Sequence, residues 1–555
     1  MKFLIVFFLS VCVAFGSHAQ QLVLPGTNPD PSIVKIGDTY WASATSSNWV
    51  PAFPLLYSTD LITWKQKGYI FNKVPEWADY YFWAPEMTYD KGRVYVYYTA
   101  HKKNGNLCVG VASADRPEGP YKDHGPLVCE ELGSIDAFPI RDKSGKLFLI
   151  WKEDANSAGE PTPIWACEMN EERTALIGQK KELFRNDAAW EKSLVEGVSI
   201  IQHNEYYYAF YAAAGCCGSG CSYVSGVARA KDILGPWEKY PKNPILVDAE
   251  NWICKGHGTA IEKDGKFYFL YHAYDRKTSA FTGRQGLLQE FTFTKDHWIT
   301  FVNTKNDTLT REKILTDEFK GNKLDDIWQW SVFQEVNYQM KDDVLRLSAL
   351  HGPSGSFIGQ KILSDNYTAT TLVRTKESTA SAGLAAIGDV ADMVSVFVRN
   401  NQIEISKVKD GFESILGIYE IPPQADSVFL QMWVRDLYRI SFLYSLDGKD
   451  FKTLNETPVK ATFLPPWDNP PRAGLVSKGN LNEQAVFEKF VLRQTITMYS
   501  GQIIFGSRKS IILIISAAAV VILLASIVFF IYKKKLKKKQ LVKQRDRVAA
   551  EMIDN

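Results

Sequence analysis

A surplus of one charge is what this sequence most conspicuously lacks. Its 64 lysines and arginines face 62 aspartates and glutamates, a net charge of +2. A chain so balanced has no electrostatic footprint for nucleic acid, so no nucleic-acid partner is expected. The balance hides an asymmetry, because a strongly basic C-terminal tail offsets a more acidic remainder. Helix signals are missing from the first 275 residues. Cysteine is present, but Cys216-Cys217-x3-Cys221 has no second ligand pair nearby at zinc spacing. Beyond these absences the chain is ordinary: 46% hydrophobic and 23% charged residues mark globular protein, and 555 residues call for two or three units.

What fills the first half is a repeat. Five times a polar residue is followed by an apolar run, a tight turn and an aromatic strand. The units begin at Asp30, Glu86, Asp136, Glu196 and His257, and their turns hold Gly37, Gly92, Gly145, Asn204 and Gly265. Successive turns lie 55, 53, 59 and 61 residues apart. Strands at such a period mean a propeller. Outer-strand copies follow: the segment from Val111 through Gly119-Pro120-Tyr121 matches that from Val227 through Gly235-Pro236-Trp237. The reading is a five-bladed β-propeller over residues 22–302. Residues 303–316 are polar, lack the repeat, and read as a linker. From Asp317 to Arg493 short alternating strands read as a β-sandwich.

Both ends of the chain read as targeting segments. Residues 1–19 have a positive start, a short apolar core and small residues at Ser17 and Ala19, the pattern of a signal peptide. Residues 511–532 carry no charge and precede nine basic residues between Lys533 and Arg547. This predicts a transmembrane helix with residues 533–555 as a cytoplasmic tail and the rest outside, a single-pass membrane protein held by its C-terminal end. The expected fold class is therefore all-β, propeller then sandwich, plus one C-terminal transmembrane helix. Seven cysteines follow the leader, an odd number, so one or two local disulfides are expected, with at least one cysteine unpaired or intermolecular.

The repeat also concentrates chemistry. Inner strands of a propeller meet around its axis, so ionisable groups at matching repeat positions converge there. Crowded carboxylates cannot all ionise freely, and the spread of their pKa values separates an acid from a base. Glycoside hydrolysis needs that division.

Asn28-Pro29-Asp30-Pro31-Ser32, Trp83-Ala84-Pro85-Glu86, Ser134-Ile135-Asp136, Val195-Glu196-Gly197, Gly256-His257-Gly258 and Gly283-Arg284 occur in that order. Together they resemble glycoside hydrolase family 43. The resemblance implies an inverting enzyme with Asp30 as general base, Glu196 as general acid, and Asp136 raising the pKa of Glu196 and orienting it. Ala137 departs from the family, which usually has proline after this aspartate. Trp83 would stack on a sugar face, and Arg284 would hold sugar hydroxyls. Glu86 would be supportive. His257 would face a hydrated cation in the central channel, often calcium, which it would meet through water because calcium prefers oxygen ligands. No organic cofactor is implied. The stretch Asp317 to Trp330 resembles the start of the concanavalin-like sandwich of β-xylosidases and arabinofuranosidases, in which a sandwich loop can close one side of the pocket. The substrate implied is an oligo- or polysaccharide with β-D-xylosidic or α-L-arabinofuranosidic bonds, cleaved from its end. The alternatives are an endo-arabinanase with an open groove, and a non-catalytic, membrane-tethered carbohydrate-binding protein, which would not need the Asp30, Asp136, Glu196 set.

Overall fold

Each sequence repeat folds into the inner hairpin of an antiparallel sheet, four-stranded in the first four blades and five-stranded in the fifth. The computed structural model describes residues 20–302, 308–423, 425–465, 467, 469–499 and 533–535. In the first blade Ser32–Ile36 and Thr39–Ser43 pair across the turn at Gly37, and Ala52–Ser58 and Lys65–Phe71 complete the sheet. The next three blades repeat the order, with inner strands Trp83–Asp90, Ser134–Arg141 and Val195–His203. The fifth is built from both ends of the propeller sequence. Its inner strand Trp252–Lys263 leads to Lys266–Asp275 and Arg284–Phe293, and Gln21–Leu24 pairs with the last of these. Each inner strand contacts the next, and the fifth returns to the first, so the ring is closed.

The aromatic strands explain themselves at the blade interfaces. Phe148, Ile150 and Ile164 of the third blade pack with Val198, Tyr207 and Tyr211 of the fourth. Tyr208, Phe210 and Val227 meet Phe269, Tyr271 and Leu287 of the fifth. Burying such rings is the main force holding blade to blade, at about 25 cal/mol per Å² of apolar surface.

A second all-β body follows. A nine-stranded and a six-stranded sheet face each other across a core that includes Leu345, Leu384, Val396, Phe442, Leu475 and Phe487. Thr308–Asp317 pairs along its length with Gln484–Tyr499, so the sandwich reaches back into most of the stretch read as a linker. Propeller and sandwich are stitched together. Trp330–Ser331 forms a two-stranded sheet with Trp49–Val50. The Gln329 side chain donates to the Pro51 carbonyl at 2.8 Å, and Lys361 Nζ donates to Asn28 Oδ1 at 3.0 Å. The Trp49 indole donates to Asn469 Oδ1 at 2.8 Å.

The described residues up to Tyr499 belong to one unit, and residues 500–555 form a second of which only 533–535 are described. The leader read at residues 1–19 and the apolar run at 511–532 lie outside the described residues. Among the described residues no helix is long and apolar enough to cross a membrane. That corrects the fold class to an all-β propeller and sandwich, without the expected spanning helix. Among the described residues nothing therefore supports the single-pass membrane location and membrane partnership expected from that helix, because spanning requires length and apolarity in one continuous helix.

The disulfides number more than expected: Cys108–Cys129, the vicinal pair Cys216–Cys217, and Cys221–Cys254. Cys167 is free and buried.

Candidate active site

At or just before each inner strand one residue of the polar cluster's segment takes the left-handed backbone conformation. These are Asp30 (φ 50°), Ala84 (45°), Asp136 (56°), Gly197 (62°) and His257 (37°). From the second blade to the fifth, the strand register also slips beside that residue, as in a β-bulge. A bulge bends the strand and re-aims side chains, which is how a regular ladder delivers polar groups to its own end. In blades one, three and five the left-handed residue is itself the ionisable one. In blade two Glu86 lies two positions after it, and in blade four Glu196 lies one before it. The five polar residues are thus not strictly equivalent, and the offset sets how each is presented.

Gly197 shows why the fourth blade differs. A Cβ there would sit 2.8 Å from His257 Cγ, on a backbone that side-chain-bearing residues rarely adopt. Gly197→Ala is expected to destabilise the protein by about 1–2 kcal/mol, measured by chemical denaturation.

The structure brings Asp30, Asp136, Glu196, His257 and Arg284 together. Asp30 is buried, and its Oδ1 accepts from Arg284 Nη1 at 2.7 Å while its Oδ2 accepts from Thr45 Oγ1 at 2.7 Å. His257 Nδ1 lies 3.3 Å from Asp30 Oδ1 and 3.8 Å from Asp136 Oδ2. Burial pushes the Asp30 carboxyl up, but the Arg284 guanidinium and then His257 hold it well below the usual carboxylate range. His257 goes the other way: burial lowers it, yet Asp136 and Asp30 raise it to about 9, so the ring is a cation at neutral pH. His272, fully buried and stacked on Tyr223, accepts the Asp30 backbone N–H on Nδ1. Burial and Arg284 hold it down to about 4, so it stays neutral while it fixes the Asp30 backbone, and its Nδ1 also lies 3.2 Å from Asp30 Oδ1.

Glu196 is gripped at both oxygens. Lys152 Nζ donates to Oε2 at 2.6 Å and Tyr223 Oη donates to Oε1 at 2.9 Å. The lysine side chain is only 1% exposed and also reaches Asp154 Oδ1 at 2.8 Å. Asp136 Oδ2 accepts the Gly197 N–H at 2.9 Å, which couples the third blade to the fourth. Burial raises both carboxyls, but Lys152 outweighs it at Glu196 and holds that group below its ordinary value. At Asp136 burial and the neighbouring charges of Glu196 and Asp30 win, and it is pushed up to about 6. The expected division was the reverse, with Asp136 raising Glu196. The reason for the difference is Lys152: an ammonium in direct contact stabilises the nearer carboxylate, so Glu196 is lowered while Asp136 is raised. Two groups so coupled titrate as a pair.

Glu86 accepts from Thr259 Oγ1 at 3.0 Å, and burial pushes it up to about 8. Arg284 reaches the Asp30 carboxylate rather than open solvent. Trp83 stacks on Tyr81, with centroids 4.4 Å apart, and its indole donates to Ser47 Oγ at 3.3 Å. Trp467 of the sandwich comes within 6.0 Å of the Trp83 ring. Among the described residues no group of three His, Cys, Asp or Glu side chains comes together to hold a metal. His257, whose Nδ1 faces carboxylates, would meet such a cation only through water.

Lys152, Tyr223, Thr45 and His272 escaped the sequence reading. Lys152 had a signal, a lone cation after the apolar run Leu147–Trp151 in a strand that is otherwise core. His272 is likewise a lone polar ring within an aromatic strand, Lys266–Asp275. Tyr223 and Thr45 had none.

A buried acid–base cluster at the axis of a five-bladed propeller, with aromatic rings at its mouth, defines a glycosidase. Comparison with known proteins agrees. The model of glycosyl hydrolases family 43 matches residues 19–299, and that of the β-xylosidase C-terminal concanavalin A-like domain matches residues 316–465. The chain belongs to glycosyl hydrolases family 43. It is 24% identical over 507 residues to a xylan 1,3-β-xylosidase of a Vibrio species, covering 79% of this chain and 92% of that one. It is 25% identical over 328 residues to the extracellular exo-α-(1→5)-L-arabinofuranosidase ArbA of Cellvibrio japonicus, covering 52% and 87%. The crystal structure of a xylan β-1,4-xylosidase from Bacillus halodurans superposes with a TM-score of 0.73 at 19% identity, over 86% of this chain and all of that one.

Proposed function

We propose that this glycosidase inverts configuration and removes β-D-xylosyl or α-L-arabinofuranosyl units from the ends of plant polysaccharide fragments. The observation that carries the proposal is the coupled Asp136–Glu196 pair beside an Asp30 held ionised. Asp30 takes a proton from water as the water oxygen bonds to the anomeric carbon. The glycosidic C–O bond breaks, and its electron pair takes the proton that the Asp136–Glu196 pair delivers through Glu196. A free alcohol leaves, and a sugar of opposite anomeric configuration remains.

Action from the chain end is favoured by the sandwich loop. Trp467 lies beside Trp83, and Asn469 accepts from Trp49, which brings sandwich residues next to a proposed sugar-stacking ring. The names of the relatives support xylose and arabinose as the sugars. The test is a panel of aryl xylosides, arabinofuranosides and galactosides, with NMR of the first anomer formed. A first product of retained configuration sinks inversion. Release of internal fragments from linear arabinan, with no turnover of the aryl glycosides, would establish the endo-arabinanase alternative. Trp467→Ala is expected to raise KM for short oligosaccharides by about 2- to 10-fold with kcat less affected, the loss of one aromatic contact.

A further inference from the structure

At the seam between propeller and sandwich two cations, Lys361 and Arg472, have no carboxylate partner among the described residues. On the six-stranded sheet, Ser356–Lys361 pairs antiparallel with Arg472–Lys478, and Lys361 stands directly opposite Arg472. Residues so placed point to the same face of a sheet, and like charges there repel. That face carries Phe357 and Val476, which pack with Trp49 of the propeller. Arg472 is 2% exposed, and its guanidinium lies 4.8 Å from the Trp49 ring. It donates from Nη2 to Gln329 Oε1 at 3.1 Å, while its buried Nε and Nη1 have no hydrogen-bond partner. Lys361 is half-buried and donates to Asn28 Oδ1, a neutral acceptor. Among the described residues no carboxylate lies within ion-pair distance of either group.

A buried cation is tolerated only when paired. We infer that a small monovalent anion of the halide class binds in this seam, held by the free donors of Arg472 and the ammonium of Lys361. The apolar walls and few donors suit a weakly hydrated single charge better than phosphate. The electrostatics run the same way. Burial, then Arg472 and Lys313, hold Lys361 down to about 7, and burial holds Arg472 down to about 10, the signature of positive charges lacking a counter-charge. Bound there, the anion would brace the sandwich against the segment that carries Asn28, two residues before Asp30.

The test is thermal unfolding of the full chain at constant ionic strength, with chloride replaced stepwise by gluconate. Above the dissociation constant, each tenfold rise in chloride is expected to multiply the folded-to-unfolded ratio about tenfold. Arg472→Met should abolish that dependence and be no less stable than the wild type in gluconate, because an unpaired buried charge has gone. Lys361→Met should weaken the dependence, and it serves where the arginine variant fails to fold. Bromide-soaked wild-type crystals should show an anomalous peak within hydrogen-bonding reach of Arg472. Equal stability of the wild type in chloride and gluconate, with no such peak, overturns the site. So does a chloride dependence that both variants retain, which would put the anion elsewhere.

Discussion

Glu196→Gln is expected to lower turnover of glycosides with aliphatic leaving groups by about 10²- to 10⁴-fold, the usual contribution of a positioned acid. The amide keeps the shape and can still accept from Lys152, and Lys152 keeps Asp154, so the fold should survive. What is lost is a deliverable proton. The deficit should therefore shrink as the leaving group becomes more acidic, because such a group departs without protonation. Rates on a series of aryl glycosides of graded phenol pKa check this. An equal deficit across the series would remove Glu196 from the protonation step and leave it a binding role.

Lys152→Met should act on stability and on pH dependence together. It strands Glu196 and Asp154 in a buried site, and breaking a buried pair in this way costs about 3–5 kcal/mol. The sign follows from the charge. Lys152 depresses the folded-state pKa of Glu196, so its stabilisation is present above the unfolded carboxyl value and lost as pH falls through the folded one. The variant's deficit should be largest near pH 7 and narrow in acid, where a protonated Glu196 needs no partner. In kinetics the variant's Glu196 holds its proton to higher pH, so the alkaline limb of kcat/KM should move upward. For the wild type that limb should fall near the Asp136 value of about 6. Denaturation at pH 4 and pH 7 and a pH–rate profile measure both effects. An unmoved alkaline limb would confine Lys152 to holding the fold.

The propeller was legible because its signal is redundant. A hairpin turn and an aromatic strand recur five times, and an error in one unit is corrected by the other four. The site was legible where its residues sit in the repeat, as Asp30, Asp136, Glu196 and His257 do. It was not legible where a side chain acts from outside the slot. Lys152 comes from the second strand of its blade, and Tyr223 from the third strand's approach. Trp467 comes from another domain, and nothing in a local pattern joins it to Trp83. The division of protons between Asp136 and Glu196 could not be read either, since it turns on a 2.6 Å contact between residues 44 positions apart. The apolar run at 511–532 is the opposite case: composition alone suggested a membrane helix that no described residue provides.

The closing of the fifth blade has a consequence for the order of events on the ribosome. Gln21–Leu24 emerges among the first segments of the propeller, yet its partner strand is Arg284–Phe293, with Gln21 opposite Leu288. Until the chain has grown that far, the first strand has nowhere to dock, and a pairing so distant in sequence is slow to form. Asp30 follows that strand by six residues, while Arg284 and His272, which hold it, come from the blade made last. The contacts that hold Asp30 are therefore completed last. A nascent chain stalled short of the fifth blade would carry most of the propeller and leave Asp30 without Arg284, His272 and His257.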